Sequence, residues 1–172
     1  EKGEIISAKD KHELPNTGVF DEQRIFKKGP LENCVKIKGV NVGLPICEDI
    51  WKKTVLKKLS ESGAEIIIAI NASPFTISKY DERNDIALSR VKETKLPIVY
   101  LNRTGGQDEL IFDGSSFSLN YDGKKFSSLE EFKEDISIIN FSKNNGKWIG
   151  YGNLKENSSQ FERLYKALVL GL

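Results

Sequence analysis

Val35-Lys-Ile-Lys-Gly-Val-Asn-Val-Gly-Leu-Pro-Ile46 is a β-rich run that leads straight into Cys47-Glu48-Asp49. Its β-branched residues suit a strand pair or one long strand. Trp51 to Ser60 follows with Trp51, Val55, Leu56 and Leu59 at helical spacing, and Gly63 stands where such a helix would stop. Ala64 to Ile70 (AEIIIAI) is a continuous apolar run, the pattern of a strand buried on both faces. Asn71-Ala-Ser-Pro74 ends it. Tyr80 to Lys95 predicts a second helix with Ile86, Ala87, Arg90 and Val91 inward, and Pro97 to Asn102 (PIVYLN) a further short buried strand. Strands and helices alternate, so the fold class is α/β.

Further along, Gly105-Gly106 reads as a turn, and Glu109 to Tyr121 as two strands or a bent hairpin around Asp113-Gly114. Asp122-Gly123 is a hairpin signal. Ile136 to Phe141 reads as a last strand, Lys143 to Gly152 as a polar, Gly/Asn-rich linker, and Phe161 to Leu172 as a helix. The 172 residues suit one domain with a sizeable core.

The chain carries 26 Lys and Arg against 25 Asp and Glu, a net charge of +1, with the two signs interleaved. That is a solvated surface, and it gives no reason to expect a nucleic-acid or membrane partner. No apolar run approaches the ~20 residues of a membrane span. Two cysteines, Cys34 and Cys47, make no disulfide framework and fit a reducing, cytoplasmic setting. The first residue is Glu1 and the sequence has no Met, which points to a piece of a longer chain. One His and two separated Cys offer no zinc site, and no phosphate-cradling glycine loop is present.

Cys47 is the residue whose position suggests chemistry. A strand-to-helix turn exposes its side chain above the sheet edge, and a helix N-terminus favours the thiolate, which is the nucleophilic form. The amide after it can face a developing oxyanion. From position alone, a small thiol closing a buried strand is the more ordinary reading. A thiol nucleophile needs a proton acceptor. His12 is the one histidine, and Lys11 beside it can stabilise an oxyanion if its site desolvates it or pairs it with a carboxylate; an ordinary surface lysine is the alternative.

Lys11-His-Glu-Leu-Pro-Asn-Thr-Gly-Val-Phe-Asp-Glu22, with Arg24 and Phe26, resembles the lysine motif of the nitrilase, or carbon–nitrogen hydrolase, superfamily. Gly43-Leu-Pro-Ile-Cys47-Glu-Asp-Ile-Trp51 resembles its cysteine motif. Asn71-Ala-Ser-Pro-Phe75 with Lys79 and Arg83, then Asn102 and Gly105-Gly-Gln-Asp-Glu-Leu-Ile-Phe-Asp-Gly114, match further motifs in the expected order. The set is most similar to the glutaminase domains of glutamine-dependent NAD synthetases, and Tyr165 to Leu172 resembles the start of the segment that leads into their synthetase domain. The Ser-Gly-Gly-x-Asp-Ser signature of that second domain does not occur.

The resemblance implies an α-β-β-α sandwich, incomplete at the N-terminus, with residues 1–142 as the hydrolase domain and 143–172 as the lead-in to a synthetase domain. It implies a Glu–Lys–Cys triad in which Cys47 attacks the glutamine side-chain amide and Lys11 stabilises the tetrahedral intermediate. Glu48, Ser73, Lys79 and Thr17 would hold glutamine, and Glu22 would be an additional acid near the lysine. No cofactor is implied for this domain; ATP and magnesium belong to the synthetase domain, which amidates nicotinic acid adenine dinucleotide. The partners implied are glutamine, that domain of the same chain, and further copies in a homo-oligomer. Two departures stand out. The family's base glutamate comes from a strand–helix segment before the lysine motif, whereas Glu1 and Glu4 lie within ten residues of Lys11, so the 172 residues alone are expected to show little activity and to lack core strands. Thr17 stands where the family has Tyr. Trp51 suits pocket or core, Asp108 and Glu109 surface or pocket, Cys34 a plain thiol, and His12 a structural role. The competing readings are a free-standing amidase for another small amide and a non-catalytic α/β module.

Overall fold

The computed structural model describes residues 2–172. A short helix α1 (Glu22–Ile25) precedes the strand pair β1 (Val35–Ile37) and β2 (Val40–Gly43). Lys38-Gly39, both at positive φ, turn the chain between them. After β2 the backbone runs through Pro45 to a 3-10 turn, Cys47–Trp51, and then helix α2 (Lys53–Glu61). Strand β3 (Ile66–Asn71), helix α3 (Lys79–Thr94) and strand β4 (Ile98–Asn102) follow, then strands β5 (Thr104–Gln107), β6 (Leu110–Asp113), β7 (Phe117–Leu119) and β8 (Lys125–Ser128). Strands β9 (Asn140–Asn144) and β10 (Lys147–Tyr151) and helix α4 (Gln160–Leu170) complete the order.

Six strands form one sheet in the order β1-β2-β3-β4-β7-β8. β3 is parallel to β2 and β4, and the outer pairs are antiparallel. Helices α2 and α3 cover one face. Their Val55, Leu56, Leu59, Ala87 and Val91 pack with Ile67 and Ala69 of β3, Ile98 and Tyr100 of β4, and Phe117 and Leu119 of β7. The register sets Ile67 beside Ile98 and Ala69 beside Tyr100, and the Tyr100 ring stacks on Phe117 at 5.0 Å. Alternation along a strand puts these residues on one side. A fully buried pair ties helix to sheet: Arg83 of α3 donates to both carboxylate oxygens of Asp113 at 2.7 and 2.8 Å.

Four expectations change. β3 is buried on both faces only at its start, where Ile66 and Ile67 are covered; towards its end the face opposite Ala69 is open, with Ile70 54% exposed and its neighbour Leu101 43%. Gly105-Gly106 is not a turn but lies within β5, and the reversal is made by Asp108 at φ +52. The stretch 143–152 is not a linker. Asn145-Gly146, at φ +47 and +78, make a tight hairpin turn, and β10 pairs back on β9 across the expected boundary at residue 142. The strand expected at 136–141 correspondingly begins at Asn140, with Ile136 94% exposed before it. Among the described residues no helix is long and apolar enough to cross a membrane.

Candidate active site

Cys47 stands where the sheet hands over to helix. Ile46 before it bridges to Ile70 of β3, so the turn begins from a fixed sheet edge. Cys47 itself has φ +50, the left-handed region that side-chain-bearing residues avoid. Such a conformation persists only where its surroundings impose it. The helix expected from Trp51 begins instead with the 3-10 turn, so Trp51 precedes α2; it lines a cavity and also packs against the hydrophobic core.

That cavity, of about 470 Å³, is lined by Cys47, Glu48, Trp51, Ser73, Lys79 and Thr17, with Pro15, Val19, Phe20, Phe75 and Leu110 as its apolar sides. It gathers all five residues that the resemblance assigns to nucleophile and substrate. Each is set by a different part of the chain. The Asn102 side chain at the end of β4 accepts from the Ser73 amide at 2.9 Å and donates to the Ser73 carbonyl at 3.2 Å, which fixes that turn. Lys79 opens α3, its Nζ 5.0 Å from the Trp51 ring centre and 2.7 Å from Glu82. The Lys79 carbonyl accepts from Nε of the buried Arg83.

Lys11 and Glu22 line a second cavity of about 500 Å³ with Leu14, Phe26 and Gly29. Lys11 Nζ lies 2.6 Å from both Glu22 oxygens, and both side chains are largely buried. The pair bears electrostatically on Cys47. Burial pushes the thiol above its ordinary value; the hydrogen bond from the Ala72 backbone and the charge of Lys11 oppose this, while Glu22 and Glu48 add to it. The element that begins at Cys47 is a five-residue 3-10 turn rather than the start of an α-helix. Loss of water is the largest influence on the thiol. Burial likewise raises the Glu48 carboxyl, against the pull of Lys52, Lys11 and Lys79. A thiol held protonated cannot attack without a proton acceptor.

Other residues lie elsewhere. The His12 ring sits between the Gly29 carbonyl (2.8 Å) and the Glu13 carboxylate (3.6 Å). Cys34 donates its thiol to the Ser62 carbonyl at 3.2 Å. Asp108 and Glu109 are exposed at the tip of the β5–β6 hairpin. Among the described residues no group of three or more His, Cys, Asp or Glu could hold a metal ion. One residue was not marked out by the sequence: Asp49, 3% exposed, whose carboxylate takes backbone amides from both the Lys11 loop and the Cys47 turn. The only signal for it was its place two positions after the cysteine.

A half-buried cysteine at φ +50 on a strand end, a lysine–glutamate pair bearing on it and a mixed sheet under two helices are the arrangement of a nitrilase-fold protein. The chain belongs to the carbon–nitrogen hydrolase family, whose profile matches residues 1–148. It is 38% identical over 171 residues to a glutamine-dependent NAD(+) synthetase of Rhodobacter capsulatus, covering 99% of this chain and 31% of that protein. Its fold superposes on the glutamine-dependent NAD+ synthetase of Acinetobacter baumannii with a TM-score of 0.91 at 35% identity, covering 99% of this chain and 32% of the other. A carbon–nitrogen hydrolase of Helicobacter pylori shares the fold, with a TM-score of 0.72 at 23% identity over 78% of this chain and 51% of its own. The chain thus spans about a third of the length of the synthetases it matches.

Proposed function

We propose that this chain carries the glutamine-hydrolysing site of a glutamine-dependent NAD synthetase. The observation that carries the reading is the single cavity joining Cys47, Glu48, Ser73, Lys79 and Thr17, with the Lys11–Glu22 pair bearing on its thiol. In this reading the Cys47 sulfur attacks the side-chain amide carbon of glutamine. The oxygen gains negative charge, which the Lys11 ammonium and the amide after Cys47 stabilise. The C–N bond breaks as the nitrogen takes the proton given up by the thiol, leaving a γ-glutamyl thioester and ammonia. Water then releases glutamate and restores the thiol. Lys79 and Glu48 supply one charge of each sign at the cavity wall, which suits the carboxylate and ammonium of an amino acid. Thr17, smaller than the family's Tyr, leaves that wall less filled.

Ammonia would pass to a synthetase domain, reached through α4, that amidates nicotinic acid adenine dinucleotide. ATP and magnesium would act only there. The hydrolase domain, expected over residues 1–142, would extend to Tyr151 so as to include β10, which pairs with β9. A reducing, cytoplasmic setting, consistent with two free thiols, belongs to the same reading, as does assembly into a homo-oligomer.

Competition tests the reading without requiring turnover. Iodoacetamide labelling of Cys47, with Cys34 as internal reference, should be slowed by glutamine and not by acetamide or propionamide, and Lys79→Ala should abolish that protection. Protection by the small amides but not by glutamine would favour a free-standing amidase. Slow labelling of both thiols, indifferent to every amide, would favour a non-catalytic module.

A further inference from the structure

We infer that Asp49 is a positioning residue that couples the Lys11 loop to the Cys47 turn, an inference that rests on the proposed roles of those two residues. The geometry is specific. Asp49 Oδ1 accepts from the backbone amides of His12 (3.1 Å) and Glu13 (2.7 Å), the two residues that follow Lys11. Oδ2 accepts from the amide of Ile46 at 3.0 Å, the residue that precedes Cys47. One buried carboxylate thus joins a segment 36 and 37 residues before it to the turn that contains it.

The other hydrogen bonds described around Lys11 do not replace this link. The Lys11 carbonyl accepts from Gly29, His12 reaches the same Gly29, and Lys11 Nζ is held by Glu22. All of these close the loop on itself. Asp49 ties the loop to the turn. A carboxylate is well matched to this link. When ionised it offers acceptors at both ends, and three N–H donors occupy them. An asparagine of the same shape keeps one acceptor oxygen and sets an N–H donor against another N–H. It must release one of the two segments whichever way its amide is turned.

The test uses the pH dependence of Cys47 labelling by uncharged iodoacetamide in the full chain, read peptide by peptide against Cys34. The charged groups bearing on the thiol are Lys11, Glu22 and Glu48. Lys11→Met removes a charge that favours the thiolate, so it should move the labelling midpoint to higher pH. Asp49→Asn should move it upward too, and the double variant should go no further than Lys11→Met alone. The sign separates mechanism from direct charge: removing a nearby anion, with Lys11 still in place, would shift the midpoint downward. An Asp49→Asn midpoint at or below the native one, while Lys11→Met moves it up, overturns the coupling and leaves the proposed glutaminase intact. If Lys11→Met also changes nothing and glutamine gives no protection, the functional reading itself falls. Should Asp49→Asn fail to fold, amide hydrogen exchange of the unaltered chain decides. The His12, Glu13 and Ile46 amides should be protected together; rapid exchange at His12 and Glu13 beside a protected Ile46 overturns the link.

Discussion

Cys47 pairs two handicaps, a thiol pushed up by burial and a backbone at φ +50. The first is chemical and the second conformational, so substitution separates them. Alanine removes the sulfur and keeps the unfavourable backbone, whereas glycine removes both the sulfur and the steric penalty. Cys47→Gly should therefore be more stable than Cys47→Ala by about 1 kcal/mol, read from urea midpoints at equal slopes. An alanine variant as stable as the glycine one would show that the turn carries no strain. Cys47 and Lys11 were legible in the sequence because ordered motifs surround them. Asp49 was not, because it acts through backbone amides of His12 and Glu13, and backbone partners leave no mark on residue types. The raised thiol was not legible either, since it depends on how much of the turn the fold buries.

At the scale of elements, the apolar runs did most to reveal the structure. Leu56, Leu59, Ala87 and Val91 fell on helix faces and Ile67, Ala69, Ile98 and Tyr100 on one face of the sheet. What composition hid was the polar hairpin β9–β10 and the strand β5, built on glycines. Both owe their pairing to partner strands rather than to propensity. The same holds for the join between α3 and the sheet. Arg83 could be placed near the site by its motif, yet its 1% exposure and its fork onto Asp113 come only from tertiary packing. Ser115 adds a hydroxyl to Asp113 at 2.7 Å. Arg83→Met would leave a buried carboxylate without its cation, and we expect it to cost about 3–5 kcal/mol in chemical denaturation. Because Arg83 also holds the Lys79 carbonyl, protection of Cys47 by glutamine should weaken in any Arg83 variant that still folds. A loss under about 1 kcal/mol would mean that water replaces the guanidinium.

Over the whole molecule, near-neutral charge hides local pairing with a clear pH signature. Glu65, just before β3, accepts from Lys143 and Trp148 of the β9–β10 hairpin and from the Asn41 amide. Lys143 above all, then Asn41 and Trp148, hold its carboxyl down to about 2 from an ordinary 4.5. A lowered carboxyl stabilises the fold above its unfolded value and loses that contribution as pH falls to the folded one. The stability difference between the native chain and Glu65→Gln should thus be full above pH 4.5 and vanish by about pH 2. A difference that does not change with pH would sever the hairpin's attachment from charge. The sheet order has a consequence in time as well as in space. Read from β1, the strands occur in the order in which they are synthesised, with only the β5–β6 hairpin set aside. No later strand has to wedge between two earlier ones. Each new strand can add to an edge that already exists, and the gap between the paired strands β3 and β4 is bridged by the single helix α3. These strands can pair one after another while the ribosome is still at work. Nascent chains halted once β4 has emerged should already shield β3 from protease, whereas protection that awaits β8 would show that the sheet closes only as a whole.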